Sequence, residues 1–360
     1  MLNQSVIEAA LSGITDPYTQ KQLSELIKIT AFELKGGSLA LTLHFNYPLD
    51  EPVMRELITP ILVAIDSINS IDLTFSWATK THPSIDSAQP IPGVKNVIAV
   101  ASGKGGVGKS TTTVNLALSL SALGARVGIL DADIYGPSIP LMLGASEHPK
   151  SKDGKRLEPV PAHGLQTMSI GYLLDDDKRP VIWRGPMVSS ALQQLLRDTN
   201  WDNLDYLLID LPPGTGDIQL TMSQKIPVSG GVVVTTPQDV ALLDARKGLE
   251  MFNRVKIPVL GVVENMAQHI CSSCGQVEHI FGEAGGQQLA DTVDVPLLGS
   301  LPLNIHIRQQ SDKGEPIVVQ DSSSEIASAY KIAALSMVAN LSLQGESARG
   351  KFPKIVVINK

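Results

Sequence analysis

Eight consecutive residues, Gly103-Lys104-Gly105-Gly106-Val107-Gly108-Lys109-Ser110, combine backbone freedom, positive charge and a hydroxyl in the spacing G-x-x-x-x-G-K-[ST]. The glycines let the backbone wrap until several N–H groups point at one phosphate. Lys109 is placed to neutralise β- and γ-phosphates, and the Ser110 hydroxyl to reach magnesium. An aliphatic run, Val97–Ala101, leads into the loop, and an amphipathic helix over Thr111–Leu123, closed by Gly124, leads out of it. The start of that helix adds the positive end of its dipole. The chemistry expected here is binding of ATP with magnesium and its hydrolysis to ADP and phosphate. The contacts expected run through Gly103, Lys104, Gly105, Gly106, Val107, Gly108, Lys109, Ser110 and Thr111.

Two further aliphatic runs end in carboxylates. Arg126–Leu130 leads into Asp131-Ala132-Asp133, and Tyr206–Ile209 into Asp210-Leu211-Pro212-Pro213-Gly214. Strand ends of a parallel sheet project into the ligand crevice. Asp210 can hold magnesium directly or through water, and Gly214 can move its backbone toward a γ-phosphate. Asp133 is placed to act at the reacting water or the metal shell, with Asp131 supporting it from behind.

A second chemistry lies at Cys271-Ser272-Ser273-Cys274-Gly275, six residues beyond Asn265. These are the two cysteines of the chain, so a disulfide framework is excluded and a reducing compartment fits. Two residues between thiols let both sulfurs face one metal, but a four-ligand site needs two more donors. Three readings are open. The twin pair of a second copy could face this one and make a four-thiolate site for a [4Fe–4S] cluster. His269 and His279 could close a zinc knuckle within one chain. The pair could also be a redox dithiol, although such dithiols sit at a helix start near the beginning of a chain.

The elements that must position these residues follow from periodicity. Residues 1–80 read as a small α+β unit. It has a helix over Asn3–Leu11, then a hairpin of Lys28–Leu34 and Ser38–Phe45 around Gly36-Gly37. A helix with apolar residues from Val53 to Ile68 follows, interrupted by Pro60, and then a strand through Ile71, Leu73, Phe75 and Trp77. Residues 81–94, rich in Pro and Ser, read as a linker, 95–345 as the nucleotide-binding domain and 346–360 as a tail. In the large domain short aliphatic runs recur at Val97–Ala101, Arg126–Leu130, Tyr206–Ile209, Gly231–Thr235, Val259–Val263 and Leu297–Leu301, with helical segments between several of them. A final helix is expected over 322–343. Alternating strand and helix implies an α/β fold with a doubly wound, mostly parallel sheet.

Composition agrees. Apolar residues make up 43% of the 360 but aromatics only 4%, so the core must be aliphatic, as in sheets buried on both faces. A net charge of −7 argues against nucleic acid or an anionic membrane as partner. No run reaches the roughly 20 apolar residues that span a bilayer, and residues 1–30 show no leader pattern. A soluble, cytoplasmic protein is expected.

Lys104, early in the loop, gives the form K-G-G-x-G-K-[ST], which resembles the deviant P-loop class. That class includes the positioning ATPase MinD, chromosome-partitioning ATPases, the nitrogenase iron protein and the Mrp/ApbC iron–sulfur cluster carriers. The carriers match best, over about residues 95–330. The matching residues are Asp131-Ala132-Asp133-Ile134-Tyr135-Gly136-Pro137-Ser138, Trp183-Arg184-Gly185-Pro186-Met187, Asp210 to Asp217, Thr236-Pro237-Gln238-Asp239-Val240-Ala241-Leu242, Cys271 to Gly275, Ile280-Phe281-Gly282, Leu298-Gly299-Ser300-Leu301-Pro302 and Asp312-Lys313-Gly314-Glu315-Pro316. The first 80 residues resemble the small domain of other iron–sulfur assembly factors; without a cysteine, that domain suits partner docking better than metal binding.

The resemblance implies a homodimer in which Lys104 reaches the partner's nucleotide. It implies that Asp133 acts on the attacking water and that the Asn265 amide recognises adenine. It further implies that Cys271 and Cys274 bind a [4Fe–4S] cluster destined for apo-proteins, alongside cluster assembly factors. A MinD-like switch would need a basic amphipathic tail, whereas Gly350-Lys351-Phe352-Pro353-Lys354 is short and broken by proline. In the nitrogenase iron protein the cluster cysteines come from two distant loops, whereas here they are adjacent.

Overall fold

The computed structural model describes residues 3–82, 89–173, 185–216, 219–220, 225–271 and 273–345. Residues 83–88 of the expected linker, Trp183, Arg184, Asp217, Ser272 and the tail from 346 lie outside the described residues.

The small unit opens with α1 (Gln4–Ser12), whose N-cap is the Asn3 side chain accepting from the Val6 N–H at 3.2 Å. The strands β1 (Ile27–Lys35) and β2 (Ser38–Phe45) pair antiparallel through Gly36 and Gly37. Both glycines have positive φ, 55° and 84°, which a two-residue hairpin turn requires. Along β2, Leu39, Leu41, Leu43 and Phe45 are buried, as the period of two demands. Helix α2 (Glu51–Val63) runs through Pro60 and stops three residues later, so Ile65 and Ile68 lie beyond it. β3 (Ser70–Trp77) then pairs parallel to β2, giving the order β1-β2-β3.

The large sheet contains β4 (Val94–Ala101), β5 (Val127–Asp131), β6 (Val160–Ala162), β7 (Leu165–Ser169), β8 (Leu204–Asp210), β9 (Gly230–Thr235), β10 (Val259–Glu264) and β13 (Leu297–Ser300). Their order is β13-β10-β9-β4-β8-β5-β7-β6, parallel except for β6 against β7. All six runs read from the sequence are strands. The β6–β7 edge was not foreseen. β6 is three residues long and carries Pro161, which a sheet edge tolerates. In β7 the buried Thr167 is satisfied by the Val160 carbonyl at 2.7 Å and the Tyr172 hydroxyl at 2.8 Å, so a polar-looking segment is buried without cost. The pair β11 (His269–Ile270) and β12 (Val277–Glu278) forms a separate small hairpin.

The helices are α3 (Lys109–Ala122), α4 (Ile139–Met142), α5 (Gly185–Asp198), α6 (Asp239–Arg254), α7 (Gly285–Val293), α8 (Ile305–Asp312), α9 (Ile317–Gln320) and α10 (Glu325–Ser342). Helix α3 is buried without a break from Thr112 to Leu120, not amphipathic as its sequence suggested. It lies between the sheet and α10, and one apolar cluster joins it to the small unit. Trp77 lies over Gly124 at the end of α3, Asp50 pairs with Lys331 of α10 at 2.5 Å, and Thr79 donates to the Tyr206 hydroxyl at 3.3 Å. The small unit therefore braces the helix that carries the phosphate loop. Among the described residues no helix is long and apolar enough to cross a membrane.

β4 lies inside the sheet. The chain leaves it to reach β5 two strands to one side, while β9 and β10 lie on the other. Such a switch point opens a crevice at the carboxyl ends of the strands. The turns after α4 and α8 meet backbone to backbone: a Cβ on Gly314 (φ 74°) would lie 2.4 Å from the Gly144 Cα. Gly314→Ala should therefore destabilise the fold by about 2–4 kcal/mol, from strained φ plus overlap. An unchanged urea midpoint would show that this contact is not a constraint.

Candidate functional site

The loop starts where β4 ends. Ser102 is buried and donates to the Lys104 carbonyl at 2.9 Å. Gly103 is required because a Cβ there would lie 2.1 Å from the Asp244 carbonyl carbon in α6. Gly106 and Gly108 both have φ of 82°, and α3 begins at Lys109 directly after the second. Val107 is buried while Gly105 and Gly106 are exposed, so the loop is anchored at one end and open to solvent at its crest. Lys104 is half-buried, and its ammonium makes no hydrogen bond or ion pair with the described residues.

Asp210, at the end of β8, is fully buried and gathers the site. Lys109 Nζ lies 2.7 Å from its Oδ2, and the Ser110 hydroxyl donates to the same oxygen at 2.6 Å. Thr113 donates to Oδ1 at 2.8 Å, and the Ala132 N–H donates to the Asp210 carbonyl at 3.0 Å. Two buried opposite charges, hydrogen-bonded to each other and to neighbouring hydroxyls, neutralise one another. Thr113 was not foreseen, yet its signal was present: three residues beyond Ser110, it falls on the same face of α3.

Asp131, at the end of β5, is also fully buried. Its Oδ1 accepts from the Asp133 N–H at 3.1 Å, and its Oδ2 from Ser169 Oγ at 3.0 Å and the Ile139 N–H at 3.3 Å. It therefore ties the Asp133 turn and the start of α4 to the end of β7. Burial, then the charge of Asp210, push its carboxyl up to about 7, against the Ser169 hydrogen bond and Lys109. Asp133 is half-buried, and burial raises its carboxyl too, opposed by Lys109 and helped by Asp210. Lys109, Ser110, Asp131, Asp133 and Asp210 thus share one crevice. Gly214 borders it, with φ 101° and its N–H on the Ser102 carbonyl at 2.9 Å.

Asn265 follows β10. It is buried, and its Nδ2 donates to the Val107 carbonyl at 2.9 Å. The amide thus touches the phosphate loop itself, a contact the sequence did not reveal.

The thiols lie at the tip of the β11–β12 hairpin. The Cys271 N–H donates to the Gln276 carbonyl at 2.9 Å and the Gly275 N–H to the Cys271 carbonyl at 2.8 Å, with Gly275 at φ 73°. Cys271 is half-buried and Cys274 exposed. The N–H groups of Ser273 and Cys274, and the Cys274 thiol, lower the Cys271 thiol below its ordinary value, which favours the thiolate that binds metal. The flanking imidazoles face elsewhere: His269 Nδ1 donates to the Leu303 carbonyl at 3.2 Å and His279 Nδ1 to the Ala267 carbonyl at 3.1 Å. Among the described residues no group of three or more His, Cys, Asp and Glu is placed to hold a metal ion. A knuckle of two thiols and two imidazoles is not assembled in this chain.

The phosphate loop follows β4, and the segment that leads into the thiol hairpin follows β10 of the same sheet. Residues 93–338 match a model described as ParA: NUBPL iron-transfer P-loop NTPase. The chain belongs to this family. A Salmonella typhimurium protein named iron-sulfur cluster carrier protein is 54% identical over 351 residues, covering 97% of this chain and 95% of that protein. The mouse iron-sulfur cluster transfer protein NUBPL is 50% identical over 255 residues, covering 70% of this chain and 80% of its own. A solved nucleotide-binding protein from Archaeoglobus fulgidus, in complex with ADP, is 37% identical, with a TM-score of 0.56 over 65% of this chain and 90% of that one. The Pyrococcus furiosus cell division ATPase MinD, at 22% identity and a TM-score of 0.51 over 68% of this chain and 98% of that one, shares the fold. The family model begins after the small unit, but the Salmonella alignment includes it.

The raised Asp131 carboxyl gives a pH test. Folded, it keeps a proton that the unfolded chain releases between its ordinary 3.8 and about 7. Its contribution to stability is present in acid and is lost as pH rises through that window. Urea midpoints at pH 5 and pH 8 should therefore differ less in Asp131→Asn than in the parent chain. An equal difference in both would show that Asp131 is not the titrating group.

Proposed function

We propose that the chain binds and hydrolyses ATP with magnesium, and that two copies hold a [4Fe–4S] cluster between them and deliver it to apo-proteins. The observation that carries this reading is a surface hairpin that offers two thiols, and no third ligand among the described residues of its own chain, in a chain that also carries a phosphate loop. Four thiolates complete such a cluster, and two hairpins supply four. Ile270, Val277 and Ile280, all exposed beside the thiols, suit contact with a second copy.

Each residue of the crevice takes a part. Incoming phosphates offer Lys109 a new partner, and the oxygens of Asp210 and Ser110, already 2.6 Å apart, form a hard-donor pair suited to magnesium. The loop backbone from Gly103 to Thr111 and the N-terminus of α3 cradle the phosphates. Asp133 orients the water that attacks the γ-phosphorus as the bond to the β-phosphate oxygen breaks, giving ADP and phosphate. Lys104 reaches the nucleotide of the second copy. Asn265 lies at the adenine side. The small unit, which has no cysteine, receives clients or assembly factors.

Two experiments bear on this. Lys109→Ala should weaken ATP binding about 100-fold by removing a charge-assisted contact, whereas Lys104→Ala should bind ATP and lose most hydrolysis. Equal loss of binding in both would contradict a cross-subunit role for Lys104. Anaerobic reconstitution with iron and sulfide should give a broad visible band that Cys271→Ala/Cys274→Ala abolishes. A band that persists in the double variant would reject this thiol site.

A further inference from the structure

The Asn265 side chain is where the phosphate loop meets the segment that leads, four residues on, into the thiol hairpin. Its Nδ2 donates to the Val107 carbonyl at 2.9 Å and occupies the space beside Gly108, where a Cβ would lie 2.2 Å from it. Val107 and Gly108 are the two residues directly before Lys109. Among the described residues this is the one hydrogen bond between residues 102–110 and residues 265–281. The other end of Asn265 is fixed, its N–H donating to the Thr235 carbonyl at 2.7 Å.

The chain from there to the thiols is short and braced. Met266 has φ 57°, the left-handed region that a non-glycine residue enters only where its surroundings impose it. Beyond it the Ala267 N–H donates to the Leu301 carbonyl at 2.9 Å, and the Leu303 N–H to the Gln268 carbonyl at 2.8 Å. His269 and His279 tie the two strands of the hairpin root, one to Leu303 and one to Ala267, at 3.2 Å and 3.1 Å. The two imidazoles thus fasten the hairpin to its base. Residues 267–269 are held to Leu301 and Leu303, so a shift at Asn265 reaches the thiols through the strained turn at Met266 and together with that root.

We infer that the Asn265 amide couples nucleotide occupancy of the loop to the alignment of Cys271 and Cys274, acting as a positioning residue. The coupling rests on the carrier reading only for its purpose; the contact itself does not. Bonded to Val107, the amide ties the segment that leads into the hairpin to the loop. A nucleotide that turns the Val107–Gly108 peptide toward phosphate, or that takes the amide for its base, releases this bond. The backbone at Asn265 and Met266 then relaxes, the hairpin root shifts with its ties to Leu301 and Leu303, and the geometry of the thiol pair changes. A coupling of this kind changes behaviour at the distant site by about fivefold or more.

The test uses the full chain without cluster. Alkylation of Cys271 and Cys274 by iodoacetamide is followed by mass spectrometry with no nucleotide, with saturating MgADP and with saturating MgATP. In the parent chain, nucleotide should change the rate about fivefold. Asn265→Ala and the isosteric Asn265→Asp, which cannot donate to a carbonyl, should both react without nucleotide at the parent's nucleotide-bound rate, with the ratio reduced to near one. A merely structural role would alter all rates and leave the ratio intact. Variants that keep the parent's ratio would overturn the coupling, including variants that lose only their preference for ATP over GTP. As a readout that needs no variant, hydrogen exchange over residues 266–281 of the parent should change on adding MgADP, and no change would equally overturn it. Loss of the visible band on reconstitution, by contrast, bears on the carrier reading alone.

Discussion

A carboxylate buried at the end of a central strand must be neutralised, and the site is organised around that requirement. Asp210 is fully buried, and Lys109, Ser110 and Thr113 converge on it from the first turn of α3. The arrangement fixes the start of α3 against β8 and so fixes the curve of the loop before it. Asp131 does the same one strand over, where Ser169 and the Ile139 N–H hold it. Removing one member of such a set leaves a buried group unpaired, which costs far more than the pair contributes. The crevice is therefore held in shape by the protein's own side chains.

The thiols obey the opposite logic. They lie at the tip of a two-residue-per-strand hairpin, Cys271 half-buried and Cys274 exposed, with the flanking imidazoles turned to backbone carbonyls. Among the described residues no further ligand group is placed beside them. In the proposed reading, such a half-filled ligand set is completed, and undone, by a change in how two copies meet. A rigid nucleotide crevice joined through Asn265 to an incomplete thiol site is a physical basis for a carrier that must both hold and release.

The chemistry was largely legible in the sequence because it resides in contiguous residues. The phosphate loop, the carboxylates after their strands and the thiol pair were all found by spacing, and the six aliphatic runs became strands. What was missed depends on contacts between distant segments. β7 looked polar until Tyr172 and Val160 satisfied Thr167. Helix α3 looked amphipathic because α10 and the small unit, which cover its outer face, begin far away in the chain. Pro60 was read as an interruption, yet α2 runs past it for three residues. Ser169 gave no signal, since its partner Asp131 lies 38 residues earlier, and Asn265 gave none of its contact with Val107, 158 residues earlier.

The central claim is that each chain holds half of a metal site. Iron, sulfide and zinc per chain, measured with particle mass after anaerobic reconstitution, test it most directly. Two irons and two sulfides per chain on a particle of twice the chain mass is the expected result. A cluster or a single zinc held on a particle of one chain mass would contradict it.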